Sequence, residues 1–217
     1  MGNNGKRQNQ LCGYKFCRGT QGACQYSLVN KQALLEDLND VVIKAIAAAK
    51  ENQTTDGRKP HHPGLRISIA ACPNACTEPQ TKDVGIIAVK VPTDIGPGCN
   101  GCGRCRAVCR EGAIKLVNAK AQLVPDRCAG CGQCISECPI QVIGSEPVRF
   151  RVLVAGRMGR HPRWAEQLCI VDGPDVVEAI QGFLDRLSQL ARPGERAASV
   201  AERIGMAGLR VEKSINV

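Results

Sequence analysis

Eight of the chain's 14 cysteines recur in two groups that share one internal spacing. Residues 98–114 and residues 127–143 each contain C-x2-C-x2-C-x3-C, and an offset of 29 residues aligns all four cysteines of the two groups. Gly101 aligns with Gly130, and Gly103 with Gly132. Three cysteines at this spacing wrap one cube of iron and sulfide, while the fourth reaches a second cube. The repeat therefore predicts one-electron transfer.

The same rule predicts crossed ligands for two [4Fe-4S] clusters. The expected ligands are Cys99, Cys102, Cys105 and Cys138 for cluster A, and Cys128, Cys131, Cys134 and Cys109 for cluster B. Structural zinc is the alternative, but it uses four ligands and leaves half of these cysteines unexplained. The segment resembles a bacterial two-cluster ferredoxin, in which proline normally follows the fourth cysteine. Pro139 keeps that position in the second half, whereas Arg110 replaces it in the first.

Composition narrows the class of protein. The 217-residue chain has a formal net charge of +9, but bound cysteines are thiolates, and three [4Fe-4S] clusters would lower that charge to roughly +3. The excess charge is spread along the chain without interleaved aromatic residues, so no nucleic-acid partner is expected. No apolar run approaches the ~20 residues of a membrane span, and the first ten residues are polar, unlike a signal peptide. A cytoplasmic protein is expected.

Two further pairs of cysteines lie outside the repeat. Cys72 and Cys76 follow a β-rich apolar run, so we expect them on a tight loop at the end of a strand. Cys17 and Cys24 precede a helix that helical spacing of apolar residues predicts over residues 31–50. The two pairs can converge as four ligands. A third [4Fe-4S] cluster and an unrelated zinc site are the two alternatives.

The spacing C-x6-C followed by C-P-N-x-C resembles the iron-sulfur/sirohaem half of the sulfite and nitrite reductase family. The resemblance implies that Cys17, Cys24 and Cys72 bind a third cluster, and that Cys76 binds it too and bridges to the sirohaem iron. The family usually has five residues within the first pair, whereas this chain has six. Cys12 is therefore the substitute for Cys17 as a ligand.

The resemblance also implies residues that bind sirohaem. Asn74 and Thr77 would orient the cysteine loop or reach the cofactor by hydrogen bonds. Sirohaem carries eight carboxylates, which suits arginines in the glycine-rich segment that follows the repeat. The candidates in and before that segment are Arg151, Arg157, Arg160, His161 and Arg163. The alternatives are a solvated loop face for the arginines and a structural role for the histidine.

The resemblance predicts an α+β or α/β fold. A sirohaem-reductase-like half-domain, with a mixed sheet and flanking helices, would span residues 1–93 and 147–217. A two-cluster ferredoxin fold would be inserted at residues 94–146, as in dissimilatory and anaerobic sulfite reductases. Strands are expected over Val84 to Val91 and again after the insert, and a helix from about Asp175 to Leu190. The remaining cysteine, Cys169, is interpreted as a buried core thiol.

These observations predict the iron-sulfur subunit of a sulfite or nitrite reductase-type oxidoreductase. Ferredoxin clusters would relay single electrons to a cluster–sirohaem centre that reduces an oxyanion. The family's other half, which supplies much of the sirohaem pocket, is not recognised here, so we expect a second subunit, a redox partner or a homo-oligomer. No catalytic residue is assigned. The alternative is a non-catalytic electron-transfer subunit with three [4Fe-4S] clusters and no sirohaem, serving a larger oxidoreductase complex.

Overall fold

The computed structural model describes residues 13–29 and 64–210. The predicted helix over residues 31–50 and the substitute ligand Cys12 lie outside the described residues. The described strands are β1 (Gly13–Phe16), β2 (Arg66–Ala70), β3 (Val84–Val89), β4 (Pro92–Ile95), β5 (Ile114–Val117), β6 (Lys120–Leu123), β7 (Ile143–Ser145), β8 (Arg149–Val154) and β9 (Glu166–Val171). The described α-helices are α1 (Arg104–Val108), α2 (Gln133–Ser136), α3 (Asp175–Leu190) and α4 (Ala197–Leu209).

A five-stranded mixed sheet forms the main layer, in the order β1-β2-β3-β8-β9. Strands β1, β2 and β3 run parallel, whereas β8 is antiparallel to β3 and β9 is antiparallel to β8. All six residues of β3 are buried. This explains the continuous apolar sequence VGIIAV, because a central strand covered on both faces has no solvent side.

Helices α3 and α4 cover one face of this sheet. The shared core contains alternate residues of the strands, such as Ile67 and Ile69, and the apolar side of α3, including Ile180 and Phe183. The bounds predicted for α3 are confirmed. Two acidic residues in its first turn interact favourably with the positive end of the helix dipole. Among the described residues, no helix has the length and apolarity needed to cross a membrane.

The opposite face of the sheet is approached closely by the loop after β2. A Cβ atom added to Gly85 would lie 2.4 Å from the carbonyl oxygen of Pro79, so only glycine lets this loop lie on β3. A smaller apolar cluster of Ala70, Ile87, Val89 and Leu153 occupies the same face. The two faces are therefore different: one carries helices, and the other carries the loop that contains Cys72 and Cys76.

Residues 92–145, which we call the excursion, connect β3 to β8, its neighbour in the main sheet. Val89 at the end of β3 pairs with Arg149 at the start of β8, and the intervening residues form two separate two-stranded sheets, β4-β7 and β5-β6. Strand β3 ends two residues earlier than predicted, because the Lys90 N–H donates to the Gly130 carbonyl at 2.7 Å instead of continuing the ladder. The first strand after β3, β4, begins at Pro92. Proline is tolerated at the first residue of such an edge strand.

Cys169 is less buried than the sequence predicted. It packs against the main core but is only half-buried, because it lies on β9, the last strand of the described sheet. Burial still raises the pKa of its thiol. It therefore behaves as a thiol at the margin of the core.

A buried ion pair ties α4 to the sheet. Both carboxylate oxygens of Asp83 accept hydrogen bonds from Arg196 at 3.0 Å, and one also accepts the Arg66 N–H at 3.0 Å. The Asp83 side chain is only 3% exposed. Its charge is therefore satisfied by two directional partners in place of water.

We expect Asp83→Ala to destabilise the fold strongly, because it leaves the Arg196 guanidinium without its carboxylate. Removing one partner of a buried pair costs roughly 3–5 kcal/mol. The measurement is the denaturant midpoint of the anaerobic, cluster-loaded protein. Asp126→Ala, at an exposed aspartate, is the control and should leave the midpoint nearly unchanged. Equal midpoints for the two variants would contradict the role of the pair.

Candidate metal centres

The excursion between β3 and β8 consists of two similar halves. Strand β4, helix α1 and strand β5 form the first half, and β6, α2 and β7 form the second. Helix α2 and strand β7 begin 29 residues after α1 and β5, which is the offset of the cysteine repeat. Gly103 and Gly132 precede α1 and α2 with φ of +78° and +69°. Only glycine adopts this left-handed conformation at little cost. The matched glycines therefore position each cysteine group in the same way.

The structure brings the cysteines together in the crossed combinations. One cavity is lined by Cys99, Cys102, Cys105 and Cys138, which we call set A. A second is lined by Cys109, Cys128, Cys131 and Cys134, which we call set B. Each set takes three cysteines from one half and the fourth from the other. Ligation of clusters by these sets remains a prediction.

Backbone N–H groups point at several of these sulfur atoms. The Ala121 N–H donates to Cys99 Sγ at 3.4 Å, and the Ala113 N–H donates to Cys109 Sγ at 3.2 Å. The Ala121 and Gly101 N–H groups, with Lys120 contributing, hold the pKa of Cys99 below its usual value. The sequence repeat did not identify the two alanine donors, because both lie outside the cysteine spacing.

The thiols of set B destabilise one another's charge. Burial, followed by the neighbouring Cys128, Cys131 and Cys109 thiols, raises the pKa of Cys134 to about 11. Four thiolates at such a site need a compensating cation, and a metal-bound cysteine is deprotonated by its metal. The chemistry of the set therefore fits a positively charged metal–sulfide core.

The two cysteine pairs outside the repeat, which we call the outer set, lie beside the end of β2. The outer set consists of Cys17, Cys24, Cys72 and Cys76. The Ala71 N–H donates to Cys17 Sγ at 3.2 Å. A Cβ atom added to Gly19 would lie 3.4 Å from Cys17 Sγ and 3.5 Å from Cys24 Cβ. The pKa of Cys72 is raised mainly by burial, with Cys17, Cys24 and Cys76 contributing. The four cysteines therefore lie near one another at the end of β2.

Two side chains fix the loop that carries Cys72 and Cys76. Asn74 Nδ2 donates to Cys76 Sγ at 2.9 Å. Thr77 Oγ1 donates to the Ile69 carbonyl at 3.1 Å, while the Thr77 carbonyl accepts from Ser68 Oγ at 2.8 Å. Thr77 thus orients the loop on β2, and Asn74 contacts the sulfur itself.

Within residues 13–29 and 64–210, no three His, Cys, Asp or Glu side chains converge closely enough to hold a single metal ion. A cube of iron and sulfide is wider than one ion, so the thiolates that hold it stand farther apart. His61 and His62, to which we assign no metal role, lie outside the described residues.

The predicted sirohaem-binding residues have different surroundings. Arg157 pairs with Glu202 at 2.7 Å, donates to Ser199 Oγ, and holds the His161 carbonyl with its Nε. Arg160 and His161 are exposed. The Arg157 charge is thus partnered within the protein, which makes it a brace for the loop.

Arg151 stands apart from these residues. Its Nε is buried without a hydrogen-bond partner among the described residues. Arg151 pairs with Ile87, which pairs with Ala70, so the three lie in one row on the face of the sheet that carries the Cys72–Cys76 loop. Two strand spacings place Arg151 roughly 10 Å from Ala70. The Nε of Arg151 is therefore a hydrogen-bond donor near the outer set that is available to a ligand.

Residues 9–215 match the family described as the nitrite and sulphite reductase 4Fe-4S domain. The chain belongs to this family. The family resemblance that the C-P-N-x-C motif indicated is thereby confirmed. The expectation of an iron-sulfur oxidoreductase of the sulfite reductase kind is confirmed as well. A domain of this family binds [4Fe-4S] clusters, but their number and the presence of sirohaem are separate questions.

Three relatives illustrate the similarity. A coenzyme F420-dependent sulfite reductase of Methanocaldococcus jannaschii is 33% identical over 143 residues, which cover 65% of this chain and 23% of that protein. The beta subunit of a dissimilatory-type sulfite reductase of Archaeoglobus fulgidus is 25% identical over 182 residues, 76% of this chain and 49% of that protein. One component of an ion-translocating oxidoreductase complex of Methanosarcina acetivorans is 37% identical over 46 residues, 21% of this chain and 17% of that protein. The chain thus spans half or less of these relatives.

The fold is similar to that of a solved structure. The crystal structure of dissimilatory sulfite reductase I superposes with a TM-score of 0.57 at 11% sequence identity, over 94% of this chain and 55% of that one. The predicted mixed sheet with flanking helices is confirmed as the fold.

Crossed ligation can be tested with pairs of substitutions. In a Cys99→Ala background, Cys138→Ala removes a second ligand of the same set, whereas Cys109→Ala removes a ligand of the other set. We expect the first pair to cost about four iron atoms per chain and the second pair about eight, because each cluster contains four. Iron and acid-labile sulfide in anaerobic protein measure this. The reverse order of losses would show that each half binds its own cluster.

We expect Asn74→Ala to lower the reduction potential of a cluster at the outer set. Hydrogen bonds to cluster sulfurs stabilise the more negative, reduced state, and the substitution removes one. An EPR-monitored redox titration gives the potential. The control is Asn100→Ala, because Asn100 accepts the Cys102 N–H at 3.2 Å and donates nothing to sulfur in the described structure. An unchanged outer-set potential in Asn74→Ala would remove this role.

Proposed function

We propose that the chain is the iron-sulfur subunit of a sulfite or nitrite reductase-type oxidoreductase, which relays single electrons from two ferredoxin-type clusters to a cluster–sirohaem centre. One observation carries the proposal. The cavity of set B is also lined by Pro73 and Asn74, and Asn74 donates to Cys76 of the outer set. Asn74 therefore contacts both the cavity of set B and the outer set.

The proposal includes the division of the chain into two domains. Residues 94–146 are the two-cluster ferredoxin insert, and residues 1–93 and 147–217 are the half-domain around it. The pairing of β3 with β8 across the excursion supports this division. So does the separate small core of the excursion, which is formed around Cys105, Cys134 and Ile143.

Twelve cysteines would hold three [4Fe-4S] clusters. Sets A and B hold one each, and Cys17, Cys24, Cys72 and Cys76 hold the third. The Ala71 N–H and the Asn74 amide each donate to a sulfur of the outer set. Hydrogen bonds of this kind stabilise thiolate and raise the reduction potential of a cluster.

The residues beside Cys76 suit a carboxylate-rich tetrapyrrole. Arg151 offers a buried, unpartnered Nε on the same face as the cysteine loop, and a carboxylate is the acceptor a guanidinium binds best. Sirohaem, when bound there, would supply the iron at which an oxyanion is reduced. Arg160 and His161, both exposed, remain candidates for the rim of this site, and Arg157 holds their loop through the His161 carbonyl.

The complete reductase would include more protein than this chain. Relatives of the chain are named as subunits of larger assemblies. A redox partner and a second subunit, or a second copy of the chain, would complete the pocket over the Cys72–Cys76 loop and contribute Lys or Arg residues for the anion.

The absorption spectrum of the anaerobically purified native assembly tests the proposal. Sirohaem adds a strong Soret-type band and a red band to the broad absorbance of iron-sulfur clusters. A spectrum of clusters alone would favour the alternative, a three-cluster electron-transfer subunit. The similarity of 46 residues of the chain to one component of an ion-translocating oxidoreductase complex is the observation that favours this alternative.

We expect Arg151→Met to reduce the sirohaem content while the iron of the three clusters stays near twelve per chain. The substituted side chain keeps its length but cannot donate to a carboxylate. Arg151→Lys is the matched control, since it keeps the charge and should retain most of the pigment. Pigment extraction and iron analysis give the two contents. A full sirohaem content in Arg151→Met would show that Arg151 does not bind the cofactor.

A further inference from the structure

The two halves of the excursion have similar backbones but different surroundings. In the second half, Cβ atoms added to Gly130 and Gly132 would lie 3.2 Å from Val89 and 3.3 Å from Lys90, at the end of β3. In the first half, the matching Gly101 meets Ala119, which belongs to the excursion itself. The second half therefore packs on the main sheet, whereas the first half packs on its own hairpin.

Exposure follows the same asymmetry. Cys102 is exposed, while Cys131 at the matching position is only partly exposed. The described residues that line the cavity of set A all lie between Ile95 and Ile143, within the excursion. Set A is thus the outward site, and set B is the site next to the outer set. An electron that enters from outside would reach set A first.

The part of the excursion that carries set A exposes both basic and apolar side chains. Its exposed cations are Arg104, Arg106, Lys115 and Lys120. Ile140 and Val117 are 42% and 41% exposed. Lys120 Nζ donates to the Pro97 carbonyl at 3.3 Å, beside the start of the set A loop.

The second half lacks two of these charges. The positions that match Arg104 and Arg106 are Gln133 and Ile135, and both are half-buried. Glu137, next to Cys138 of set A, is an exposed carboxylate. The exposed cations are therefore concentrated on helix α1 and the β5-β6 hairpin, where they can steer a negatively charged protein.

We propose that this basic surface, formed by Arg104, Arg106, Lys115, Lys120, Val117 and Ile140, docks a small acidic one-electron carrier protein that reduces the cluster of set A. The inference rests on the two-cluster part of the proposed function and adds the order of transfer, from set A to set B to the outer set. Each encounter oxidises the carrier by one electron and reduces one cluster by one electron, with no bond made or broken.

The observations favour a protein over a nucleic acid. Residues 92–145 contain no Phe, Trp or Tyr, so the surface has no platform on which bases could stack. Exposed apolar side chains together with charged ones are instead typical of a protein–protein interface. The proximity of set A gives an electron carrier a reason to bind there.

Binding of an acidic plant-type [2Fe-2S] ferredoxin to the full, cluster-loaded protein provides the test. Titration calorimetry at low salt gives the Kd, and the double variant Lys115→Glu/Lys120→Glu should raise it at least about tenfold by opposing the attraction. The matched control is Arg127→Glu/Arg192→Glu, which makes the same charge change at two exposed cations away from set A. It should change the Kd less than threefold.

A rate measurement is the second arm. Mixing the reduced ferredoxin with the protein in a stopped-flow instrument should show slower cluster reduction in the Lys115→Glu/Lys120→Glu variant and a wild-type rate in the control. Dithionite, a small reductant that needs no docking, should reduce all proteins alike. If the double variant misfolds, the single variants Lys115→Gln and Lys120→Gln and the salt dependence of the Kd replace it.

Three results would overturn the proposal: equal effects of the two double variants, a Kd independent of salt, or tighter binding of a single-stranded oligonucleotide than of the ferredoxin. None of these depends on sirohaem. A chain that docks the ferredoxin but shows no sirohaem bands would refute the reductase proposal and leave the docking surface intact.

Discussion

The convergence of thiols is the constraint on which the rest of the structure depends. Burial raises the pKa of Cys134 to about 11, and the neighbouring thiols contribute to the increase because charged sulfurs repel one another. A backbone that nonetheless holds them together must be stabilised elsewhere. Glycines in the left-handed conformation at residues 103 and 132, and N–H groups aimed at sulfur, provide local support. The site is thus built for a cation that the protein chain does not itself supply.

The main sheet determines where these sites lie relative to one another. Strands β2 and β3 are parallel neighbours, so the loop after β2 and the excursion after β3 leave the same edge of the sheet. Cys72 and Cys76 of the outer set lie on the loop after β2, and set B lies on the excursion after β3. The buried pair of Asp83 and Arg196 and the close contact of Pro79 with Gly85 fix the loop between these strands. A short path between sites follows from strand order, without a dedicated linker.

Much of this arrangement could be predicted from the sequence, because the cysteine spacing carries the geometry of both sets and the family resemblance indicated the bounds of α3. The rest depends on contacts between distant segments, which have no local signal. Strand β3 ends early because Lys90 donates to Gly130, forty positions later. The sequence grouped Arg151 and Arg157 as equivalent cations, yet Arg157 pairs with Glu202, whereas the Arg151 Nε has no partner among the described residues. The register of β8 against β3 directs Arg151 away from the helices, and no local pattern shows it.

Pairing of charges therefore distinguishes braces from binding residues. An arginine whose carboxylate partner lies within the fold contributes rigidity, and its removal would loosen a loop. An arginine buried without a partner costs stability until an acceptor arrives, because the desolvated N–H has lost its water. A ligand that accepts the hydrogen bond would offset this loss of stability. Under the two proposals, Arg151 on the sheet and the cations around set A would therefore have opposite roles: Arg151 would bind a buried ligand that stays, and the cations would remain hydrated until a partner binds and leaves.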